Sequence, residues 1–161
     1  FLFSYFYIRL VNPIWPPANI PLPDLLLPGI STALILAGAA AQRWALIRVR
    51  AESQGGLRLG LAVAFAAGAA ALALLLYHFS QLTFDHSIHA YGSIYYAIGS
   101  FLLVIGLGGL LQNGFSQIWA WQGRYVAREH VAVDVGSIYW NAVAGSWLVG
   151  AGTMFVAPYL V

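Results

Sequence analysis

Four long runs of apolar residues constrain this chain more than any other feature of its sequence. They cover residues 25–44, 59–79, 91–111 and 136–158. Each run has about the 20 residues that a helix needs to cross the roughly 30 Å hydrocarbon core of a bilayer, and none carries a charge at its centre. We therefore predict an all-α fold, a polytopic transmembrane helix bundle with four full spans.

The composition supports the same prediction. Of the 161 residues 61% are hydrophobic and 7% are charged, with seven Arg and no Lys, whereas soluble domains carry about a quarter charged residues. The formal net charge of +2 is small and scattered, which excludes nucleic acid as a partner because a nucleic-acid groove needs clustered basic residues. Abundant Ala, Gly and Arg without Lys are typical of a GC-rich genome and favour a bacterial source.

Two segments precede the first full span. Residues 1–11 (FLFSYFYIRLV) are aromatic and apolar but too short to cross a bilayer, so they are predicted to be the end of a truncated helix. Residues 12–28 hold six of the seven prolines, which interrupt helical hydrogen bonding. We predict an extended external linker there, and a single membrane domain over residues 1–161.

The arginines predict an orientation. Loop 45–58 and loop 112–135 contain five of them, whereas the loop between the second and third spans has no basic residue and contains Asp85. By the positive-inside rule the two Arg-bearing loops are cytoplasmic and the Asp85 loop is external. The carboxyl end at Val161 is then external in a bacterial plasma membrane, and Arg9 is the one exception to the rule.

Glycines indicate where helices pack. Gly92, Gly99 and Gly106 recur every seven residues and share one face of the third span, and small residues in lipid let neighbouring helices approach closely. We predict that this face packs against another helix. Gly145 in the last span is predicted to have the same role.

Several large side chains are predicted to contact lipid or a partner subunit. Trp44 ends a span, where indole rings anchor at headgroup depth, and Arg43 can extend its charged group to the membrane surface. Trp140 and Trp147 lie on one face of the last span. The sequence leaves open whether they contact acyl chains or a protein partner.

The chemistry expected of this chain is sparse. It has no Cys, and its spans have no ionisable residue at mid-bilayer depth, where such groups mark proton or ion pathways. His78 ends a span, His86 and His89 lie with Asp85 in the external loop, and His130 is on the other side. No two histidines are therefore expected to meet at haem depth. We assign no catalytic, cofactor-binding or metal-binding residue.

The order of the segments resembles a known family. FSYFYIRL followed by NPIWPPANIPLPD is similar to the end of the first helix and the WPP linker of subunit III of haem-copper terminal oxidases, in a divergent five-helix bacterial form. LLLYHFSQL resembles the end of that family's third helix, YGSIYYAIGSF the start of its fourth, and SIYWNAVAGSWLVGAGTMFVAPYL its closing helix. The similarity covers almost the whole chain in the right order.

This resemblance implies a non-catalytic accessory subunit of a proton-pumping cytochrome c oxidase or quinol oxidase, which reduces oxygen to water in aerobic respiration. Such a subunit holds no cofactor, packs beside subunit I and subunit II, which carry the haem and copper, stabilises the catalytic subunit and binds phospholipid. The residues expected to contact lipid or a subunit are Tyr7, Arg9, Trp15, Arg43, Trp44, Tyr139, Trp140 and Trp147.

The chain departs from the family where the family has ionisable residues inside the membrane. The glutamate of the third helix corresponds to Leu75 and the two histidines of the fourth to Leu102 and Ile105. The histidine and aspartate of the last helix correspond to Asn141 and Ala144. A role in tuning proton uptake through such groups is therefore not expected.

Two other functions stay open at the level of sequence. One is a scaffold subunit of another energy-transducing membrane complex, which composition does not distinguish from an oxidase subunit. The other is a small stand-alone transporter, against which stand the lack of intramembrane charge and of an internal repeat.

Overall fold

The fold is known from a computed structural model, which describes residues 1–12, 14–17, 20–87 and 89–160. Within these residues the chain is helical and has no strand. Its helices are α1 (Leu2–Val11), α2 (Leu26–Arg50), α3 (Gln54–Ser80), α4 (Ala90–Trp121) and α5 (Val131–Ala151). A π-helical segment, Gly152–Val156, and a 3-10 turn, Ala157–Tyr159, continue α5.

Four of these helices are long and apolar enough to cross a membrane: α2, α3, α4 and α5 with its continuation to Tyr159. The prediction of an all-α polytopic helix bundle is thereby confirmed. α1 is apolar but has only 10 residues.

The helices extend further than the apolar runs at one end of the bundle. α2 runs six residues beyond Trp44, α4 continues to Trp121, and α5 begins at Val131 rather than at residue 136. Arg48 and Arg50 in the last turn of α2 interact favourably with the negative end of the helix dipole and so stabilise the helix there. The Ser53 side chain accepts a hydrogen bond from the Gly56 amide at 3.4 Å and caps α3. Polar residues can thus continue a helix that hydrophobicity alone would end.

The four long helices pack with their sequence neighbours: α2 with α3, α3 with α4 and α4 with α5, while α5 also packs against α2. Small residues allow the closest approach, because a Cβ added at Gly60 of α3 would lie 2.7 Å from the Ala45 Cβ of α2. Packing through small side chains is the usual means of helix association in lipid. α1 lies outside this ring and contacts α4.

The buried residues form two clusters. The larger occupies most of the space between the long helices and includes Trp140, Trp147, Tyr91 and Tyr95. The smaller lies near the arginine-bearing loops and surrounds Leu57. Both clusters combine residues from several helices, so the helices are held by side-chain packing as well as by short connections.

Both arginine-bearing loops lie at one end of the bundle, which we call the arginine end. It is formed by the last turns of α2 and α4 and the first turns of α3 and α5. Arg50 pairs with Asp134 at 2.6 Å, Gln54 donates to the Tyr125 carbonyl at 2.6 Å, and Arg58 donates to the Ala120 carbonyl at 3.2 Å. Which side of a membrane this end faces stays a prediction, and Val161 lies outside the described residues.

The linker predicted for residues 12–28 is described only in part, because Pro13, Ala18 and Asn19 lie outside the described residues. Its last residues, from Leu26, already belong to α2. Ile20 is buried in the larger cluster, so the linker is packed against the bundle at that point.

Candidate lipid and subunit contact surfaces

Gly92, Gly99 and Gly106 lie on the buried face of α4. A Cβ added at Gly106 would lie 2.7 Å from a methyl carbon of Leu72, and one added at Gly99 would overlap the Phe79 ring, so these two glycines face α3. Gly92 instead faces the Asp85 loop, where an added Cβ would meet a backbone carbonyl oxygen. The shared face is therefore filled by both a helix and a loop.

Gly145 does not pack in the way the sequence suggests. It is exposed, and an added Cβ there would have no described atom within 4 Å. Gly150 of the same helix faces Leu102, which lies 3.0 Å from an added Cβ. The expectation for Gly145 fails because a small residue indicates a possible contact but not which way its side of the helix is turned.

Trp140 and Trp147 face the interior of the chain. They are 0% and 1% exposed, and the Trp147 indole donates to the Thr32 hydroxyl at 3.1 Å. The Trp140 ring fills the space beside Gly68 of α3 and Gly38 of α2. The expectation that these two tryptophans contact lipid or a partner is corrected: their common face is the face that packs on the other helices.

Four of the other predicted contact residues lie at or near the outer surface. Tyr7 and Arg43 are exposed. Trp44 is partly buried, and the Arg48 guanidinium lies 4.9 Å from the centre of its ring. Tyr139 is also partly buried, and its hydroxyl donates to the Ile105 carbonyl at 3.0 Å.

Arg9 and Trp15 join α1 to the rest of the chain. The Arg9 guanidinium donates to the carbonyls of Ala157 at 3.2 Å and Leu160 at 2.6 Å. The Trp15 indole donates to the Tyr5 hydroxyl at 3.0 Å and meets the Tyr91 ring edge-on at 4.9 Å. The side chains of these two residues therefore make contacts within this chain.

The positions at which the resemblance to the oxidase family implies ionisable residues are mostly apolar core. Leu75, Leu102 and Ala144 are buried in the larger cluster, and Ile105 packs against it. Asn141 is the polar exception and lies exposed between α2 and α5. The interior at these positions is therefore held by packing.

A buried pair that sequence reasoning missed joins α3 and α4. His78 Nε2 lies 2.7 Å from the Tyr95 hydroxyl oxygen, and both residues are buried. His86 and His130 pair with nearby carboxylates, those of Asp85 and Asp134. Within the described ranges no group of three His, Asp or Glu side chains comes together.

A second missed feature is a layer of buried amides. Asn113 of α4 donates to the Gln42 side-chain carbonyl of α2 at 2.9 Å, and both residues are 0% exposed. Gln112 donates to the Ser116 hydroxyl at 2.9 Å and to the Ala132 carbonyl at 3.1 Å. The only sequence signal was the run of polar residues that follows the third apolar segment.

The outer faces of the helices are apolar and could contact acyl chains or other membrane helices. α4 alone exposes a line of large hydrophobic residues: Phe101, Val104, Leu107, Leu111, Phe115 and Ile118. An open cavity of about 570 Å³ lies between α1, α4 and α5, with Phe1, Ile98, Phe101 and Val149 in its wall. Apolar surface of this extent is expected of a protein that is embedded in lipid or in a larger membrane complex.

Comparison with known proteins adds one informative match. No family model matches the chain. It is 26% identical over 160 residues to a Synechocystis sp. protein named "Cytochrome c oxidase subunit 3", and the match covers 98% of this chain and 66% of that relative. The chain thus spans just under two thirds of the relative's length. The similarity to oxidase subunit III, first found in the order of the segments, is confirmed.

Proposed function

We propose that this chain, a divergent member of the cytochrome c oxidase subunit III family, is a non-catalytic accessory subunit of a membrane-bound haem-copper respiratory oxidase. One observation carries the proposal: the match to a protein named as that subunit runs over 98% of the chain. In the proposed complex the haem and copper belong to subunits I and II, and this chain stabilises the catalytic subunit.

The distribution of acidic residues supports the proposed non-catalytic role. All five carboxylates, Asp24, Glu52, Asp85, Glu129 and Asp134, lie outside the long helices or in the first turn of α5. A carboxylate inside the bundle is the usual group for moving protons through a membrane helix. Proton pumping, where the complex performs it, is therefore proposed to run through the other subunits.

The apolar exterior supports a position within a larger membrane assembly. Each exposed helix face offers hydrophobic side chains to either lipid or a neighbouring subunit, and association in a bilayer rests on close van der Waals packing. We propose that the cavity between α1, α4 and α5 holds phospholipid acyl chains. Its wall is mostly aromatic and aliphatic, as an acyl chain requires.

The proposed location is the bacterial plasma membrane. The arginine end would face the cytoplasm, and the Asp85 loop and the carboxyl end would face outward. Two loops predicted to be cytoplasmic do contact each other at one end of the bundle, as loops on the same side of a membrane can.

A deletion strain tests the proposed function. Membranes that lack this chain are expected to contain less assembled oxidase on a native gel, while the remaining oxidase keeps its haem absorption bands because the haems belong to other subunits. Expression of the chain from a plasmid should restore the amount of complex. Unchanged amounts of oxidase and unchanged cyanide-sensitive oxygen consumption after deletion would contradict the proposal.

A further inference from the structure

A row of aromatic side chains lies at the end of the bundle opposite the arginine end. The Trp15 ring centre lies 4.9 Å from that of Tyr91, and the Tyr91 ring centre lies 5.8 Å from that of Tyr95. Both spacings are those of aromatic rings in direct contact. Tyr91 and Tyr95 are about one turn apart on α4, so they share one face of that helix. We call Trp15, Tyr91 and Tyr95 the aromatic row.

The aromatic row leads from the edge of the bundle into its interior. Trp15 is partly exposed, whereas Tyr91 and Tyr95 are 2% and 1% exposed. The rings of Phe84 and Phe155 enclose Tyr95, with ring centres 5.5 Å and 5.9 Å from its own. An oxidant in the surroundings therefore has access to Trp15 but not to the phenol of Tyr95.

The Tyr95 hydroxyl meets a base. Its oxygen lies 2.7 Å from His78 Nε2, a distance at which a proton can be transferred. A neutral imidazole accepts at Nε2 when its own proton is on Nδ1. The hydroxyls of Tyr96, Tyr139 and Tyr159 instead donate to backbone carbonyls, which are not bases. Within the described residues, the Tyr95 hydroxyl is the tyrosine hydroxyl that pairs with a histidine nitrogen.

The surroundings of Tyr95 suit it to donate an electron. A phenol that has lost an electron is a very strong acid, so a tyrosine is oxidised readily where a base takes up its proton. An indole ring can lose an electron without giving up its proton at once. An oxidised Trp15 can therefore recover an electron from Tyr95 through the Tyr91 ring, which contacts both.

We propose that Tyr95 is a redox-active tyrosine, that the aromatic row carries its electron to an oxidant at Trp15, and that His78 takes up its proton. The oxidant belongs to the class of oxygen-centred radicals, such as the peroxyl radicals that form on membrane lipids. A peroxyl radical takes one electron from Trp15 and one proton from the aqueous phase, and it becomes a hydroperoxide. Trp15 regains its electron from Tyr95 through Tyr91, while the phenolic proton of Tyr95 moves to His78 Nε2.

This step is balanced and reversible. One electron leaves Tyr95 and reduces the peroxyl radical, and the proton taken from the aqueous phase matches the positive charge that His78 gains. The product is a neutral tyrosyl radical beside an imidazolium. One electron from a soluble reductant such as ascorbate restores the phenol as the proton returns from His78. The inference requires only that the chain lies in a membrane and does not rest on its assignment to an oxidase.

Photo-oxidation of the full chain in detergent micelles tests the site. The oxidant is ruthenium(III) tris-bipyridine, made by a light flash in the presence of a cobalt(III) amine complex. Radicals are trapped by freezing and recorded by electron paramagnetic resonance. We expect a tyrosyl radical whose amount falls several-fold in Tyr95→Phe. His78→Gln should lower it as well, because a glutamine carbonyl accepts the hydrogen bond of the hydroxyl but does not take up its proton.

Two further measurements separate a redox role from a structural one. Tyr77→Phe is the matched control, because Tyr77 is an exposed tyrosine near the same end of α3 as His78, and it should leave the signal unchanged. The g-values of the wild-type radical at high field should show a hydrogen bond from a positively charged donor, which His78→Gln should abolish. Trp15→Phe should slow the formation of the radical without changing its g-values.

Peroxyl radicals test the class of oxidant. Vesicles of polyunsaturated phosphatidylcholine that contain the chain and a thermal azo initiator should accumulate the same radical, and vesicles with Tyr95→Phe should not. A wild-type radical after the flash but none in these vesicles would exclude peroxyl radicals as the oxidant. Equal loss of signal in Tyr77→Phe and Tyr95→Phe would show that exposure alone selects the oxidised tyrosine. Unchanged g-values in His78→Gln would remove His78 as the proton acceptor.

Discussion

At the scale of single residues, the buried amides are the most consequential polar contact in the chain. The Asn113 and Gln42 side chains join α4 to α2 at 2.9 Å with no exposure to the surroundings. An unpaired amide in that position has neither water nor a lipid group with which to bond. The pair is therefore a buried polar contact between two mostly apolar helices.

Asn113→Leu should lower the free energy of unfolding by about 1–2 kcal/mol, because the Gln42 carbonyl oxygen loses its donor while staying buried. The double variant Gln42→Leu with Asn113→Leu should cost less than the sum of the two single variants, since no unpaired amide remains. Unfolding in SDS-titrated mixed micelles, followed by tryptophan fluorescence, measures both. Additive effects would show that the two amides are not coupled.

Residue identity alone could not decide how Trp140 and Gly145 are used. Both lie in the same apolar helix, and each side of that helix carries large and small residues. Periodicity groups residues on a face, but in lipid the outer face is as apolar as the inner one. The rule that places apolar residues inside a soluble protein therefore gave no guidance here.

At the scale of helices, α3 and α5 fit together where the indole ring of Trp140 lies against Gly68. A Cβ added at Gly68 would overlap the Trp140 ring and lie 3.1 Å from a methyl carbon of Leu110. Because Trp140 is fully buried, it has little space in which to move.

Gly68→Ala should destabilise the bundle by about 1–3 kcal/mol through overpacking. Gly114→Ala is the matched control, since an added Cβ there would meet only a Phe65 ring carbon at 3.8 Å. The control should be neutral or stabilising by up to about 1 kcal/mol, because Ala favours a helix more than Gly does. Melting temperatures of the purified variants in detergent compare the two, and equal melting temperatures would contradict the packing described.

α1 depends on fewer contacts than the other helices. Its attachment includes the two hydrogen bonds from Arg9 to the carbonyls of Ala157 and Leu160. Arg9→Gln should raise amide hydrogen exchange across residues 2–11 several-fold, because local opening becomes easier when few contacts hold an element. Arg124→Gln is the control and should leave exchange in α1 unchanged. Unaltered exchange in the Arg9 variant would mean that Tyr5 and Trp15 hold α1 without it.

The existence of the helices could be predicted from the sequence, but their ends could not. The apolar run that stops near Leu111 continues as helix to Trp121. Its side-chain amides donate to carbonyl oxygens of α2, α3 and α5, those of Gln42, Arg58 and Ala132. Such partners are distant in sequence, so hydropathy along the chain does not show them.

At the scale of the whole molecule, the orientation of the chain in the membrane is predicted independently of its fold. The positive-inside rule predicts that the carboxyl end and the Asp85 loop are external. An alkaline phosphatase fusion after the last described residue, Leu160, should be active, and a fusion in the loop after Arg50 should be inactive. The reverse pattern would invert the proposed topology without altering the fold.

The similarity to oxidase subunit III could be recognised from the order of weak motifs because those motifs span almost the whole chain. The chemistry could not be carried over in the same way. Leu75, Leu102 and Ala144, where the resemblance implies ionisable residues, are packed in the apolar core instead. Which surfaces face a partner depends on protein outside this chain, and no pattern within it determines them.

Purification of the chain through an affinity tag in mild detergent tests the central claim most directly. The proposed function predicts that a large haem-containing catalytic subunit and a second oxidase subunit co-purify, and that the reduced-minus-oxidised spectrum of the preparation shows haem bands. Removal of this chain from the complex should leave the haems with the other subunits. A colourless protein that purifies without oxidase subunits would contradict the proposal.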